Sequence, residues 1–99
     1  MKTFGMLIKE QRELKGFLLR EVAAFVKIDQ SIISKFEKGE RKPSRDQVVR
    51  FANVFNTSEQ ELLIAWLSDK LVSVLENEEF AKEALSVAEI KMDFIQINR

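Results

Sequence analysis

The chain has no cysteine and no histidine among its 99 residues. Thiolate nucleophiles, disulfides, Cys/His zinc sites and every histidine-based triad or general base are thereby excluded. One proline and three glycines leave little room for loops, while the stock of Glu, Lys, Leu and Ala suits helices. Long hydrophobic runs are also missing. The longest, Leu62 to Leu67, falls far short of the roughly 20 residues that a membrane span requires. No charged-then-apolar leader opens the chain. The expectation is a soluble, cytoplasmic, all-α protein without a membrane association. Its length suits one domain, which at this size buries roughly 60–65% of its unfolded surface and needs no disulfide or metal.

The formal net charge is zero, but the zero conceals a division. Residues 1–56 carry twelve Lys/Arg against seven Asp/Glu, an excess of +5, and residues 57–99 carry four against nine, an excess of −5. Both a first half that meets a polyanion and a solvated surface that drifts in sign fit this division.

Hydrophobic spacing and cap residues divide the chain into six helices. Thr3 is placed to cap a helix over 3–15, in which Phe4, Leu7, Ile8, Gln11 and Leu14 recur at helical spacing and Gly16 supplies the C-terminal cap. A second helix runs from Leu19 to Val26, with Val22, Ala23 and Val26 inward. Asp29 caps a third, Gln30 to Lys38, which Gly39 closes. Only Lys27-Ile28-Asp29 separates these two, and so tight a joint makes them cross steeply as a helix-turn-helix. Ser44 caps a fourth helix to Phe55, with Val48, Val49, Ala52 and Phe55 as its apolar side, and Asn56 ends it. Ser58 with Glu61 forms the capping-box pattern of a fifth helix, unbroken from Glu59 to Glu76. A sixth spans about Glu78 to Gln96.

The third helix sorts its side chains. Ile33 and Phe36, at i and i+3, turn into a core with Val22, Val26 and Ile28. Gln30, Ser31, Ser34 and Lys35 are thereby turned outward, and Ile32 partly so. Such a face fits the major groove, where Gln pairs bidentately with adenine, Lys with the guanine acceptors and Ser with either. Directly behind it, Lys38-Gly39-Glu40-Arg41-Lys42-Pro43-Ser44-Arg45 is a basic loop. Lys38, Arg41, Lys42 and Arg45 would follow the phosphate backbone, with Arg20 as a further candidate. The competing explanation is that these cations keep the loop soluble.

The stretch Glu21 to Pro43 resembles the lambda-repressor-like (Xre, or phage repressor and Cro) helix-turn-helix family of transcriptional regulators. The matching parts are Val22-Ala23, Ile28, Ser31, Ile33-Ser34, Phe36-Glu37-x-Gly39 and Pro43, with Arg12, Gly16, Ala52 and Glu61-Leu62-Leu63 flanking. The resemblance covers residues 4–66. It implies a five-helix DNA-binding domain, here with an extended fifth helix and an additional C-terminal helix. It also implies that Gln30, Ser31, Ser34 and Lys35 reach base edges and that Arg12 and Glu37 form a structural ion pair. Two departures stand out. Leu18 and Leu19 occupy positions where the family usually has Ser or Thr followed by Gln, and Lys27 sits where the tight turn often has Gly.

The domain reading is therefore a DNA-binding unit over residues 1–66 and a helical extension over 67–99. Ile64, Leu67, Leu71 and Val74, spaced 3, 4 and 3, make an a/d-like seam, and Phe80, Leu85, Met92, Phe94 and Ile95 give the sixth helix a wide apolar arc. The expectation is a helical hairpin that dimerises through Leu67, Leu71, Val74, Phe80, Leu85, Met92 and Ile95. The alternative is a monomer whose tail folds back. Two recognition helices on a two-fold axis would read half-sites about one helical turn apart, a pseudo-palindromic operator in double-stranded DNA.

A homodimeric, autoregulatory repressor is the leading functional reading. The alternative is an antitoxin-like interaction module whose acidic C-terminal helices bind a protein partner. No small-molecule effector domain, metal site, cofactor or enzymatic activity is expected. Without His or Cys, chemistry would fall to carboxylates, Lys and Ser, and none is paired in an evident cleft. Glu78, Glu79 and Glu83 read as a solvated face rather than an oxygen-ligand cage.

Overall fold

Each of the first five helices begins where a side chain or a backbone group satisfies its free N–H groups, and this fixes the architecture. In the computed structural model, which describes residues 1–98, the helices are α1 (Phe4–Leu14), α2 (Leu19–Val26), α3 (Gln30–Lys38), α4 (Arg45–Phe55), α5 (Glu59–Leu75) and α6 (Ala81–Ile97). No strand occurs among the described residues. Thr3, Asp29, Ser44 and Ser58 accept backbone N–H groups of their helices, from Met6, Ser31, Gln47 and Glu61 respectively. The reciprocal capping box closes at Ser44 and Gln47, whose side chain accepts from the Ser44 amide. At α2 the N-cap is Leu18, which has no oxygen to offer, and Glu21 accepts the Leu18 amide at 2.9 Å instead.

The C-termini follow the same logic. Gly16, Lys27, Gly39 and Asn56 all adopt positive φ, at 72°, 58°, 76° and 49°. Glycine and asparagine take this region readily, whereas lysine pays for its Cβ. Lys27 is thus strained in order to close α2 tightly enough for α3 to cross it.

Fourteen apolar residues from α1 to α5 form one core. Phe51 is its hub. Fully buried on α4, it meets Phe4 and Phe36 edge-on at ring-centroid distances of 5.8 and 6.2 Å and stacks on Phe55 at 6.1 Å. Burying one such side chain contributes about 1.5–3 kcal/mol. The apolar side of α4 expected from spacing lacked Phe51, and Val49, assigned to that side, is only half-buried. Leu14, assigned to the inner stripe of α1, is 76% exposed, because α1 ends there and Phe17 returns to the core in its place. Gly5 permits the close approach of α1 to α3. A Cβ there would lie 2.2 Å from the Phe36 carbonyl oxygen.

Trp66 and Leu62 close the core from α5, and the Asp69 carboxylate accepts the Phe4 amide at 2.9 Å, fastening the start of α1 to α5. Beyond this point packing stops. α6 contains no buried residue and packs closely on no other helix. α6 begins at Ala81 rather than Glu78, because residues 76–80 form the connection after α5. The radius of gyration is 15.7 Å, against about 13 Å for a compact chain of about 100 residues. No helix among the described residues is long and apolar enough to cross a membrane.

Candidate nucleic-acid interface

The α2–α3 pair presents α3 at the surface. Ile33 and Phe36 are buried against Val22, Val26 and Ile28, and the opposite side carries Gln30, Ser31 and Lys35, all exposed, with Ser34 half-buried beside them. Asp29 organises the leading end of this face. Its carboxylate accepts from the Ser31 hydroxyl at 2.7 Å and the Ser31 amide at 2.8 Å. These two bonds, the hydroxyl's being the stronger influence, hold the Asp29 carboxyl below its ordinary range. Ser31 therefore has its hydroxyl proton committed, leaving its oxygen lone pairs turned to solvent.

Behind its outer face, α3 is tied to α1 by Arg12 and Glu37. Arg12 Nε donates to Glu37 Oε2 at 2.8 Å and Nη2 to Oε1 at 3.1 Å, while Nη1 donates to the Phe17 carbonyl at 3.1 Å. The side chains are 16% and 7% exposed. The Glu37 hydrogen bond raises the Arg12 pKa further, so the guanidinium stays charged at any pH at which the protein folds. On the far side, Arg50 of α4 donates to the Val26 carbonyl at 3.2 Å while paired with Asp46. The last turn of α2 is thereby held to α4. Together these contacts fix α3 without drawing on any of its outward side chains.

The basic loop is seated as well. Pro43 is buried, and its carbonyl accepts the Trp66 indole N–H at 2.8 Å. Arg45 lies over the Trp66 ring, 5.3 Å from its centroid, and the Lys42 ammonium donates to the Ser73 hydroxyl of α5. Lys38, Arg41 and Arg20 are exposed, and none forms an ion pair among the described residues. Lys38 thus ends α3, Lys42 and Arg45 lie against α5, Arg41 lines the groove beside them, and Arg20 stands in the first turn of α2. A groove of about 400 Å³ lies between the start of α1, the loop and α5, with Phe4, Phe36, Pro43, Trp66 and Val72 among its walls.

Sequence reasoning missed the share that α5 takes in seating this loop. Nothing in the sequence connects Trp66, Lys70 or Ser73 to the loop directly. The available signal was their spacing, i, i+4 and i+7 on one stripe of α5. The residues assigned to self-association, Leu67, Leu71, Val74, Phe80, Leu85, Met92 and Ile95, are all solvent-exposed, between 43% and 72%.

Comparison with known proteins agrees with this geometry. The Helix-turn-helix family model matches residues 8–62. Over 61 residues the chain is 30% identical to the HTH-type transcriptional regulator ImmR of Bacillus subtilis, a match covering 62% of this chain and 48% of that protein. The chain thus spans about half the length of this curated relative. Among solved structures, the restriction-modification controller protein C.AhdI from Aeromonas hydrophila superposes with a TM-score of 0.57 at 27% identity, over 60% of this chain and 89% of that one. A hypothetical protein from E. coli superposes with a TM-score of 0.68 at 25% identity, over 92% of this chain and 97% of that one. The chain belongs to the Xre-like helix-turn-helix family of DNA-binding transcription regulators.

Proposed function

We propose that the protein is a homodimeric repressor that reads a pseudo-palindromic operator with α3 in the major groove. The observation that carries this reading is the division of α3 itself. Its inner side is locked by Ile33, Phe36 and the Arg12–Glu37 pair, and its outer polar side chains stay at the surface, Ser31 alone being bonded to the Asp29 cap. Gln30, Ser31, Ser34 and Lys35 are assigned to base edges, and Arg20, Lys38, Arg41, Lys42 and Arg45 to phosphates. Each good bidentate base contact discriminates by about 1–3 kcal/mol.

Residues 67–99 are assigned to self-association. Support comes from the surface they expose. On helical geometry α6 carries two apolar stripes on nearly opposite sides, Ala81-Leu85-Ala88-Met92-Ile95 and Val87-Ile90-Phe94-Ile97. α5 adds Ile64, Leu67, Leu71 and Val74 on the side turned from the core. So much apolar surface marks an association site, and two stripes on one helix require cover from two sides. A second copy provides both, since its own α5 seam needs the same cover. An isologous two-fold arrangement would also set the two recognition helices facing successive turns of one groove.

The test is anisotropy of a labelled duplex taken from immediately upstream of the gene, against a scrambled duplex, across a salt series. The reading expects selective binding with two protomers per site. Equal, salt-sensitive binding to both duplexes would refute autoregulation. A molar mass of one protomer at micromolar concentration would refute the homodimer and turn attention to a different protein as the cover of α6.

A further inference from the structure

Lys42, Arg45 and Lys70 come from a loop, the first turn of α4 and the middle of α5, yet all three lie along one stripe of α5, Arg45 and Lys70 at Trp66 and Lys42 at Ser73, about 10 Å further on. Lys70 Nζ lies 3.6 Å from the indole centroid, Arg45 Cζ lies 5.3 Å from it, and Lys42 reaches Ser73, two turns along the same stripe of α5. Like charges along one stripe repel, and a nearby carboxylate would relieve them. Here none of the three has a carboxylate oxygen within 4.0 Å among the described residues. The acidic groups nearest in sequence are engaged elsewhere: Asp46 with Arg50, and Asp69 with the Phe4 amide. An indole face holds a cation through its quadrupole without neutralising it. The full charge of the cluster is therefore left for an anion from outside.

We infer that this cluster binds a phosphate of duplex DNA, and that Lys70 is a backbone contact made by α5. The inference rests on the DNA-binding reading above and extends it beyond the helix-turn-helix. Phosphate is the anion that continuity selects, because the same loop carries Lys38 and Arg41 directly behind the recognition helix. Trp66 acts as a positioning residue. Its ring orders two flexible cationic side chains before DNA arrives, and its N–H bond to Pro43 fixes the loop relative to α5. Ser73 does the same for Lys42.

The experiment measures affinity for a labelled duplex between 0.05 and 0.2 M salt for the wild-type chain, Lys70→Ala, Lys70→Arg and Lys82→Ala. The last removes the same charge from α6, away from the cluster. One lost phosphate contact lowers the log–log salt slope by about 0.9 per bound protomer, so the affinity ratio across this range shrinks about 3.5-fold per protomer, or about 12-fold for a complex of two protomers, in Lys70→Ala. The loss is the same on every duplex sequence. Lys70→Arg keeps the wild-type slope, and so does Lys82→Ala. Where Lys70→Ala lowers the melt through lost packing on Trp66, Lys70→Met keeps the stem, removes the charge and shows the same reduced slope. A folded Lys70→Ala with the wild-type slope overturns the inference, as does an equal loss in Lys82→Ala, which would make the effect one of net charge. Absence of salt-dependent duplex binding by the wild-type chain would overturn the DNA-binding reading itself, and this inference with it.

Discussion

Removing Arg12 should destabilise the protein without touching its DNA-facing surface. The guanidinium makes two bonds to Glu37 and one to the Phe17 carbonyl, in a setting only 16% exposed on the Arg side and 7% on the Glu side. Breaking a buried pair by deleting one partner costs about 3–5 kcal/mol, because the remaining charge is stranded. Arg12 keeps some contact with water, which puts Arg12→Ala near the lower end, about 3 kcal/mol. At about 4–8 °C per kcal/mol for a domain of this size, the melting midpoint should fall by about 12–24 °C. The double substitution Arg12→Met with Glu37→Leu removes both charges and should recover most of the loss, since a buried ion pair is worth little more than apolar groups that pack as well. Urea unfolding followed by circular dichroism reads both quantities. A loss below about 1 kcal/mol for Arg12→Ala, or a double variant no better than the single, would refute the reasoning.

Other perturbations follow from single positions. Lys27→Gly relieves a non-glycine residue at φ 58° and should be neutral or up to about 1 kcal/mol more stable by urea midpoint, whereas a clear loss would contradict the strain. Gly5→Ala drives a methyl group to 2.2 Å from the Phe36 carbonyl oxygen and 2.9 Å from that of Glu37. With backbone on both sides it should cost at least about 2 kcal/mol, and an unchanged melt would deny the close helix approach. The Asp29 carboxyl is held below its ordinary value of 3.8, so its capping contribution is present above about pH 4 and is lost as pH falls through the lowered value. Asp29→Ala should therefore lower the melt at pH 7, and by progressively less as the solution is acidified below about pH 4. Light scattering on the wild-type chain should give twice 11.5 kDa, and Leu71→Glu combined with Ile90→Glu should return the single-chain mass.

The helix-turn-helix was legible because its signals are local. Asp29 and Gly39 bracket α3, and Ile33 and Phe36 sit three apart between polar residues, so both the bounds and the outward face of the helix follow from neighbours in the sequence. Phe51 was open to the same spacing argument, three residues after Val48 and four before Phe55. Its place as hub of the core nevertheless depends on Phe4 and Phe36 arriving from two other helices. The loop tells the opposite story. Lys42 meets Ser73 and Arg45 meets Trp66 only because α4 and α5 pack with the loop between them, and no sequence window contains both partners. The last third of the chain was legible as a further helix. The apolar residues of α6 are exposed as its spacing announced, but their division into two nearly opposite stripes rather than one wide arc shows only when the whole helix is laid out at 100° per residue.

The central claim is that the outer face of α3 reads bases. Selection of binding sites from a pool of randomised duplexes tests it most directly, repeated with Gln30→Ala and Lys35→Ala. A pseudo-palindromic site should emerge, with half-site centres about 10 bp apart. Each variant should relax preference at one position per half-site, by about 1–3 kcal/mol, while leaving the rest intact. A wild-type pool that enriches no sequence, or variants that select the wild-type site unchanged, would contradict it.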